Sequence, residues 1–432
     1  LDAAQVRLVS TLKQCGADLG ALSISTDANT GVRGLFVTSA TDPSTRIALN
    51  VPIALALSDD PGEFEDTAFG KAVPPTLWLR LPIDSRLALR LLAEKERGAD
   101  SFWADFIALL PTQLVCARHL SNKCLSTARS EFVTEQALLA RQYVVDVHQQ
   151  ICELADQHGA PVYTLEELGW ALDVVHTRSF TVDVGPERGV RRYLVPYVDM
   201  LNHDENLGFG FSYNEEQETF QVRRLDDVPL QPGEQIYLDY GSETSEELLL
   251  MYGFVPAEPS ACDVVRLRGA YAEADVMLVG GDSPFDKHKA ALLETNRYAP
   301  PRSFELSPSS FDPAVVCALR LALLTPAELA EGCGGDWGRA IAFAPVSDAN
   351  ELRVANALRS RLEAELDVGE LGESAGLGCD ETDAALRGAV QLRLNRKRLV
   401  EQLIARIDRF LDAPKGVNLL DAMAFEISVM MI

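Results

Sequence analysis

The feature that most constrains the fold is a change in the spacing of apolar residues along this chain. Residues 20–80 and 177–268 contain short apolar runs bounded by Gly, Pro, Asn and Asp, which is typical of β-strands. Residues 82–176 and 270–432 instead have apolar residues at helical spacing. We therefore predict an α+β protein whose β-rich domain, residues 1–269, contains a helical insertion at about 82–176 and precedes an all-α domain over 270–432.

Local patterns predict the individual elements. Strands are predicted at 31–37, 47–52, 193–198, 219–222 and 235–240, the first of them entered through a glycine turn. Helices are predicted over 131–158, 164–176, 245–251 and 386–411, and an acidic loop over 59–66. Thr164 and Glu167 have the spacing of a capping box at the start of one helix, and Gly253 follows another helix as a stop.

The charge of the chain excludes some partners. With 64 acidic and 39 basic residues, the net charge is -25. A nucleic-acid binder needs a cationic face for the phosphates, and an anionic membrane surface would repel this chain in the same way. The acidic surface keeps the protein soluble and can also attract a basic protein target. We therefore expect a protein partner and no nucleic acid or membrane.

The cysteines predict the compartment and argue against a metal site. The eight cysteines are scattered, and no two of them have C-x-x-C spacing. Such cysteines are typical of reduced thiols in an intracellular protein, and no Cys/His cluster resembles a zinc site. The sequence contains no apolar run long enough to span a bilayer. It begins at Leu1, so it leaves open whether a targeting peptide precedes it.

Two segments carry a family resemblance. One, residues 195–203, reads Val-Pro-Tyr-Val-Asp-Met-Leu-Asn-His; the other, residues 233–241, reads Gly-Glu-Gln-Ile-Tyr-Leu-Asp-Tyr-Gly and is followed by Tyr-Gly-Phe at 252–254. In this order they resemble the C-terminal half of a SET domain, a domain that transfers methyl groups from S-adenosyl-L-methionine (SAM). Arg-Gly-Leu at 33–35 resembles the first SET motif.

Further motifs narrow the resemblance to one subfamily. Thr177-Arg178-Ser179-Phe180 is similar to its Ser-Arg-x-Phe motif, and Ser101-Phe102-Trp103 with Leu110-Pro111 is similar to a segment of its helical insertion. This subfamily is the Rubisco-methyltransferase-like SET proteins, whose C-terminal helical domain binds the substrate protein. The resemblance implies a SAM-dependent lysine methyltransferase acting on a non-histone protein, and a pseudoknot formed by 199–206 with 240–254.

The resemblance also assigns roles to residues. Tyr240 is implied to be the catalytic tyrosine beside the transferred methyl group, and Tyr252 a second aromatic residue of the target-residue channel. Arg178 is implied to bind the carboxylate of SAM, for which a guanidinium is suited. The remaining cofactor-binding residues that the resemblance implies are Gly31, Arg33, Gly34, Asp199, Asn202, His203 and Phe254, with Tyr240 also contacting the cofactor. No metal is expected.

Two readings other than lysine methylation stay open. One branch of the subfamily methylates histidine, so a histidine target is the first alternative. The second is a non-catalytic SET protein that binds a partner, because Thr244-Ser245 stands where the subfamily has Ser-Asn. Retention of Tyr240, Arg178 and the Asn202-His203 pair favours an enzyme. A monomer is favoured, and the sequence distinguishes neither cytoplasm, nucleus nor plastid.

Overall fold

The structure of this chain is a computed structural model that describes most of its residues. The chain forms two compact units. The described residues are 3–28, 30–40, 47–186, 188–204, 208–225, 229–241, 243–268, 282–296, 303–308, 311–340, 344–367, 384–413, 416 and 418–424. The first unit comprises Leu1–Leu120, Phe132–Ser242 and Leu250–Gly253. The second comprises Ser121–Glu131, Glu243–Leu249 and Phe254–Ile432. The domain boundary predicted at 269/270 falls outside the described residues and stays a prediction.

The strands of the first unit form small sheets. They are β1 (Leu22–Thr26), β2 (Arg33–Val37), β3 (Ile47–Pro52), β4 (Leu57–Ser58), β5 (Ser179–Asp183), β6 (Val190–Leu194), β7 (Asn202–His203), β8 (Phe209–Asn214), β9 (Thr219–Arg224) and β10 (Gln235–Leu238). Their orders are β1-β2-β10-β7, β3-β9-β8 and β4-β6-β5. Inward-facing residues such as Leu35, Val222 and Ile236 are almost fully buried and join one hydrophobic core. This core fixes which face of each strand points inward.

Helices precede and separate these strands along the chain. Those numbered in chain order up to the sheet strand β5 are α1 (Ala3–Gln14), α2 (Pro61–Glu65), α3 (Ala68–Ala72), α4 (Pro75–Trp78), α5 (Ile83–Arg97), α6 (Ala104–Leu109), α7 (Asn122–Ala128), α8 (Glu131–His158) and α9 (Leu165–Arg178). The capping box of Thr164 and Glu167 is formed at the start of α9, as predicted. The acidic loop predicted at 59–66 is instead largely helical, because the Asp60 side chain caps α2 and Pro61 opens it.

In its described residues, the second unit is helical apart from one pair of strands. Besides α7, its elements include β11 (Val265–Arg268), α11 (Pro284–Thr295), β12 (Ser303–Leu306), α12 (Pro313–Ala322), α13 (Pro326–Glu331), α14 (Trp337–Ala340), α15 (Asp348–Asp367), α16 (Ala384–Leu411) and α17 (Leu419–Ala424). Antiparallel pairing joins β11 to β12. Helix α10 (Ser245–Tyr252) begins in this unit and ends in the first. These elements confirm the α+β fold class.

A buried ion pair lies inside the second unit. Arg320 on α12 donates two hydrogen bonds to the carboxylate of Glu351 on α15, at 2.5 and 2.7 Å. Both side chains are almost completely shielded from solvent. The Glu351 carboxylate also accepts from the Leu419 backbone N–H, and Arg320 donates to Asn418. Full hydrogen bonding offsets much of the cost of burying these charges.

Among the described residues, no helix is both long and apolar enough to cross a bilayer.

Candidate active site

The two SET-like segments lie side by side in one sheet. Strand β10 pairs in parallel with β7, so that Tyr237 is opposite Asn202 and Leu238 is opposite His203. On its other side, β10 pairs antiparallel with β2. The Asp204 backbone N–H extends this pairing by donating to the Leu238 carbonyl. The arrangement brings the Asn-His pair next to the chain that leads into Tyr240, which is the adjacency that the expected pseudoknot requires.

Tyr240 is held at both its backbone and its hydroxyl group. Its hydroxyl donates to the Leu201 carbonyl at 2.6 Å, and its backbone N–H donates to His203 Nδ1 at 3.1 Å. Because Nδ1 accepts this bond, a neutral His203 carries its proton on Nε2. Burial raises the pKa of Tyr240 above its ordinary value, and the neighbouring Tyr252 adds to this effect. The phenol therefore stays protonated across the physiological range.

Tyr240 and Tyr252 form an aromatic pair. Their ring centroids are 4.7 Å apart, and the ring planes are inclined by 52°. The His203 ring also contacts the Tyr240 ring, with 5.1 Å between the two ring centroids. Tyr252 ends α10, and Gly253 follows with φ +73°, the left-handed conformation that stops a helix, as predicted. Both tyrosines are only half-buried, so this aromatic pair is accessible to a ligand.

Arg178 and Asp199 form a second cluster. The Arg178 side chain donates to the Asp199 carboxylate at 3.0 Å and to the Asp199 carbonyl at 3.1 Å. The Asp199 side chain is fully buried, whereas Arg178 is partly exposed. Burial raises the pKa of Asp199, although the charges of Arg178 and Arg33 oppose the rise. Asp199 therefore orients the guanidinium of Arg178.

Gly34 on β2 packs closely against the side chains of β10 and β7. A Cβ atom on Gly34 would lie 2.3 Å from Gln235 Nε2 and 2.9 Å from Asn202 Nδ2, so a larger residue there would displace these two side-chain amides. The Asn202 amide donates to the Arg33 carbonyl at 3.0 Å, which connects β7 to β2. Gly31 is exposed, has φ +69° and belongs to the turn that precedes β2. The Arg33 side chain itself donates to the Leu109 carbonyl at 2.6 Å.

Sequence reasoning missed Tyr197. The predicted strand over 193–198 ends at Leu194, and Tyr197 then adopts φ +74° and ψ −44°, a conformation that is rare outside glycine. Its ring is buried, and its hydroxyl donates to the Leu22 carbonyl at 2.8 Å. The turn leads directly into the helical turn that carries Asp199. The Pro196-Tyr197 pair was the available signal, since proline favours turns.

Two residues of the motif belong to the second unit. Phe254 lies there and is half-buried. Ser245, which replaces the subfamily's usual Asn, donates from its hydroxyl to Asp263 at 2.6 Å, and its backbone N–H donates to the same carboxylate. The Ser260 backbone N–H also donates to Asp263. Within this unit the serine is therefore an anchored residue at the start of α10.

One group of side chains outside the site has metal-ligand composition. Cys116, His119 and Asp173 bring their ligand atoms within 4.8 Å of one another. The Asp173 carboxylate, however, is bound by the Arg118 guanidinium at 2.6 and 2.5 Å. Burial, together with the charge of Asp173, raises the pKa of the Cys116 thiol to about 12. The thiol is therefore protonated and the carboxylate is paired with an arginine. Together these groups form a network that attaches the segment around Cys116 to α9.

Comparison with known proteins agrees with this architecture. The family described as Rubisco LSMT substrate-binding matches residues 280–400. A crystal structure of the SET domain of LSMT bound to lysine and AdoHcy is similar over 98% of this chain and 93% of that one, with a TM-score of 0.66 and 20% identity. A structure of Rubisco LSMT bound to AdoMet has the same TM-score, at 21% identity and the same coverage of both chains.

The relatives found by sequence are matched over only part of their length. Actin-histidine N-methyltransferase of Mus musculus is 26% identical over 74% of this chain and 54% of its own length. SET domain-containing protein 4 of Homo sapiens is 23% identical over 72% of this chain and 68% of its own. The chain thus spans about half the length of the actin-histidine enzymes that it matches.

The fold and the paired motifs define a SET-domain protein with a helical C-terminal domain. More narrowly, its fold is similar to that of the Rubisco LSMT structures, and its residues 280–400 match the Rubisco LSMT substrate-binding family, in agreement with the resemblance that the sequence motifs indicated.

Proposed function

We propose that this protein is a SAM-dependent protein methyltransferase and that its target is a lysine side chain. The observation that carries the proposal is the fixation of Tyr240, whose hydroxyl is bonded to Leu201 and whose ring is paired with that of Tyr252. Methyl transfer needs an amine aligned with the methyl donor more than it needs covalent help from the protein. Fixed aromatic side chains beside an accessible site provide such alignment.

The polar groups around Arg178 fit SAM as the methyl donor. Arg178 Nε and Gln235 Nε2 are buried and make no hydrogen bond within the described part of the chain. A carboxylate such as that of SAM would satisfy the guanidinium. We assign Gly31, Gly34, Asn202, His203 and Phe254 to the cofactor as the sequence predicted, together with Arg178, Asp199 and Tyr240. Arg33 would contact the cofactor through its backbone, because its side chain donates a hydrogen bond to the Leu109 carbonyl.

SAM would supply the methyl group as an electrophilic sulfonium. The Tyr240 hydroxyl donates its only proton to Leu201, so its lone pairs remain available to orient an incoming amine. The two tyrosine rings can stabilise positive charge near their faces. A free lysine, with a pKa of about 10.4, is mostly protonated at neutral pH, and burial in such a site favours loss of the proton before transfer.

A histidine target is the second candidate. It is favoured by the identity of 26% to an actin-histidine N-methyltransferase, a figure that comes from partial coverage of that protein. We prefer lysine because methyl-lysine keeps its positive charge, which suits the Tyr240 and Tyr252 rings, whereas methylhistidine is largely neutral at physiological pH. The region 280–400, which resembles a Rubisco LSMT substrate-binding domain, would hold the substrate protein. A monomer suffices, because every assigned residue lies on one chain.

The test is transfer of labelled methyl from SAM into a protein extract, followed by acid hydrolysis of the labelled protein. The expected result is a discrete labelled band that yields methyl-lysine, and a loss of at least about 100-fold in rate for Tyr240→Phe. Tyr213→Phe is the control, because Tyr213 is another half-buried tyrosine of the same unit and lies on β8, outside the site.

Each other outcome points elsewhere. Methylhistidine in the hydrolysate would replace lysine by histidine as the target. SAM binding by calorimetry without transfer to any extract protein would support the non-catalytic binding module. If folded protein neither bound SAM nor transferred methyl, the methyltransferase proposal would be wrong.

A further inference from the structure

A short loop beside the tyrosine pair is fixed at several points. We call residues 109–116 the rim loop; it runs from the end of α6 toward the Asp173 network. At its start, the Leu109 carbonyl accepts from Arg33 at 2.6 Å. In its middle, the Pro111 carbonyl accepts from Trp170 at 3.0 Å. At its end, the Cys116 thiol donates to Asp173 at 3.2 Å. The loop therefore has a defined position relative to the glycine turn and to α9.

The rim loop contacts the backbone immediately after Tyr252. A Cβ atom on Gly253 would lie 2.4 Å from Val115 Cγ1 and 2.9 Å from the Val115 carbonyl oxygen. Gly253 also has φ +73°, so glycine is required both for the helix stop and for the close approach of Val115. Val115 therefore packs against the residue that directly follows Tyr252, and the ring of Tyr252 faces that of Tyr240.

Val115 nevertheless remains 38% exposed. Its neighbour Leu114 packs partly into the hydrophobic core, whereas Thr112 and Gln113 are exposed. The loop thus presents an apolar side chain to solvent on a fixed backbone, next to the accessible aromatic pair. A preorganised apolar group loses little conformational entropy when a partner covers it.

We propose that Val115 is a specificity-determining residue that contacts the substrate. It forms an apolar rim on the target-residue channel and packs against an apolar side chain that flanks the methylated residue. This inference rests on the proposed methyltransferase function and adds to it a sequence preference in the substrate. It predicts that Val115 contributes to substrate affinity and not to the transfer step.

The experiment uses the full chain and the extract protein that the unaltered enzyme labels, purified as substrate. For Val115→Asp, the apparent KM for that protein should rise about tenfold, since a carboxylate would be buried against an apolar side chain. The kcat, and the SAM affinity measured by calorimetry, should stay within about twofold of the values for the unaltered enzyme. The reason is that the lost contact contributes equally to binding of the substrate and of the transition state. Val115→Ile keeps the apolar contact and should restore the original KM. Val162→Asp is the control, as Val162 is a 56% exposed valine of the same unit.

The possible results separate the two proposals. An increase in KM for Val115→Asp alone, with rescue by isoleucine, supports the rim. If Val115→Asp is active with an unchanged KM, Val115 does not contact the substrate, and the methyltransferase proposal is unaffected. An equal increase in KM for Val162→Asp leads to the same conclusion. A fall in kcat or in SAM affinity would show a structural role for Val115 instead. If the unaltered chain labels no protein in the extract, both proposals fail.

Discussion

The two units hold their residues together in different ways. The first assembles its candidate site from short strands that are far apart in sequence: the Asn202–Arg33 hydrogen bond joins residues 169 positions apart, and β7 has only two residues. The second is dominated by long helices such as α16, with 28 residues, and its buried Arg320–Glu351 pair spans 31 positions. Strand register therefore determines the site, whereas helix packing determines the second unit.

The largest expected effect lies in the second unit. Replacing Arg320 by Met would leave the Glu351 carboxylate buried without its cation, so we expect a loss of about 3–5 kcal/mol in the free energy of unfolding. Hydrogen exchange should show the loss in α12 and α15. The double change Arg320→Met with Glu351→Leu should recover much of it, because the buried charge is then removed as well. A single variant as stable as the original chain would contradict the importance of the pair.

A smaller effect is expected at the glycine turn of the first unit. Gly34→Ala would force its Cβ against Gln235 and Asn202, at a cost of about 1–3 kcal/mol, and would weaken SAM binding. Calorimetric titration with SAM measures the second effect. The matched change in the other unit is Gly338→Ala on α14, where the nearest atom is the end of the Asp336 side chain at 3.1 Å. That variant should bind SAM normally; equal losses for the two alanines would refute the steric argument.

The two units should respond similarly to acid, through different carboxylates. Burial acts to raise the pKa of Asp84, but hydrogen bonds from His176 and Tyr143 outweigh it, and the pKa is lowered overall. The pKa of Glu328 in the second unit is lowered in the same way, burial being outweighed by Arg353 and Ser347. A lowered folded-state pKa stabilises the protein above the ordinary value, about 4 for such groups, and the stabilisation is lost as pH falls below it.

The measurement is the pH dependence of unfolding for Asp84→Asn and Glu328→Gln. Each variant should be less stable than the original chain at pH 7 and should lose less stability between pH 5 and pH 3. Hydrogen exchange should show the change of Asp84 in α5 and α9, and the change of Glu328 in α13. A variant that keeps the full acid sensitivity of its own unit would exclude that carboxylate as the cause.

The smallest effects are expected at the two capping boxes. Thr164 caps α9 in the first unit, and Thr325 caps α13 in the second, each with a glutamate three residues later. Replacing either threonine by alanine should cost about 1 kcal/mol, because one backbone N–H loses its acceptor. Exchange of the first-turn amides should increase only in the helix that was changed. Faster exchange throughout a unit would indicate that the cap supports more than its own helix.

The sequence predicted the helices better than the site geometry. Residues 131–158 were predicted as one helix, and α8 has these bounds, because helical periodicity and end signals are local. The strand predicted over 193–198 ends early at Leu194, and the hydroxyl of the nearby Tyr197 donates a hydrogen bond to Leu22, 175 positions away. Contacts over such distances leave no periodic pattern in the sequence.

The same distinction applies to the candidate site. Asn202 and His203 lie beside the chain that leads into Tyr240, as the expected pseudoknot requires, whereas the contact of Arg178 with Asp199 was not predicted. The motifs did not predict that the Arg33 side chain would be bonded to Leu109, or that Val115 would approach Gly253. Both contacts come from the helical insertion, whose position relative to the strands is a tertiary property.

The pairing of β6 has a consequence for how such a chain can evolve. Leu57 and Ser179 lie on opposite sides of the same residue, Leu194, and Ser58 and Phe180 lie on opposite sides of Tyr193. The long segment between β4 and β5 thus leaves and re-enters the sheet at points about 10 Å apart, two strand spacings. The sheet sets the separation of these two ends and not the length of chain between them. Insertions and deletions within that segment can therefore accumulate without changing the register of β6 with its two neighbouring strands.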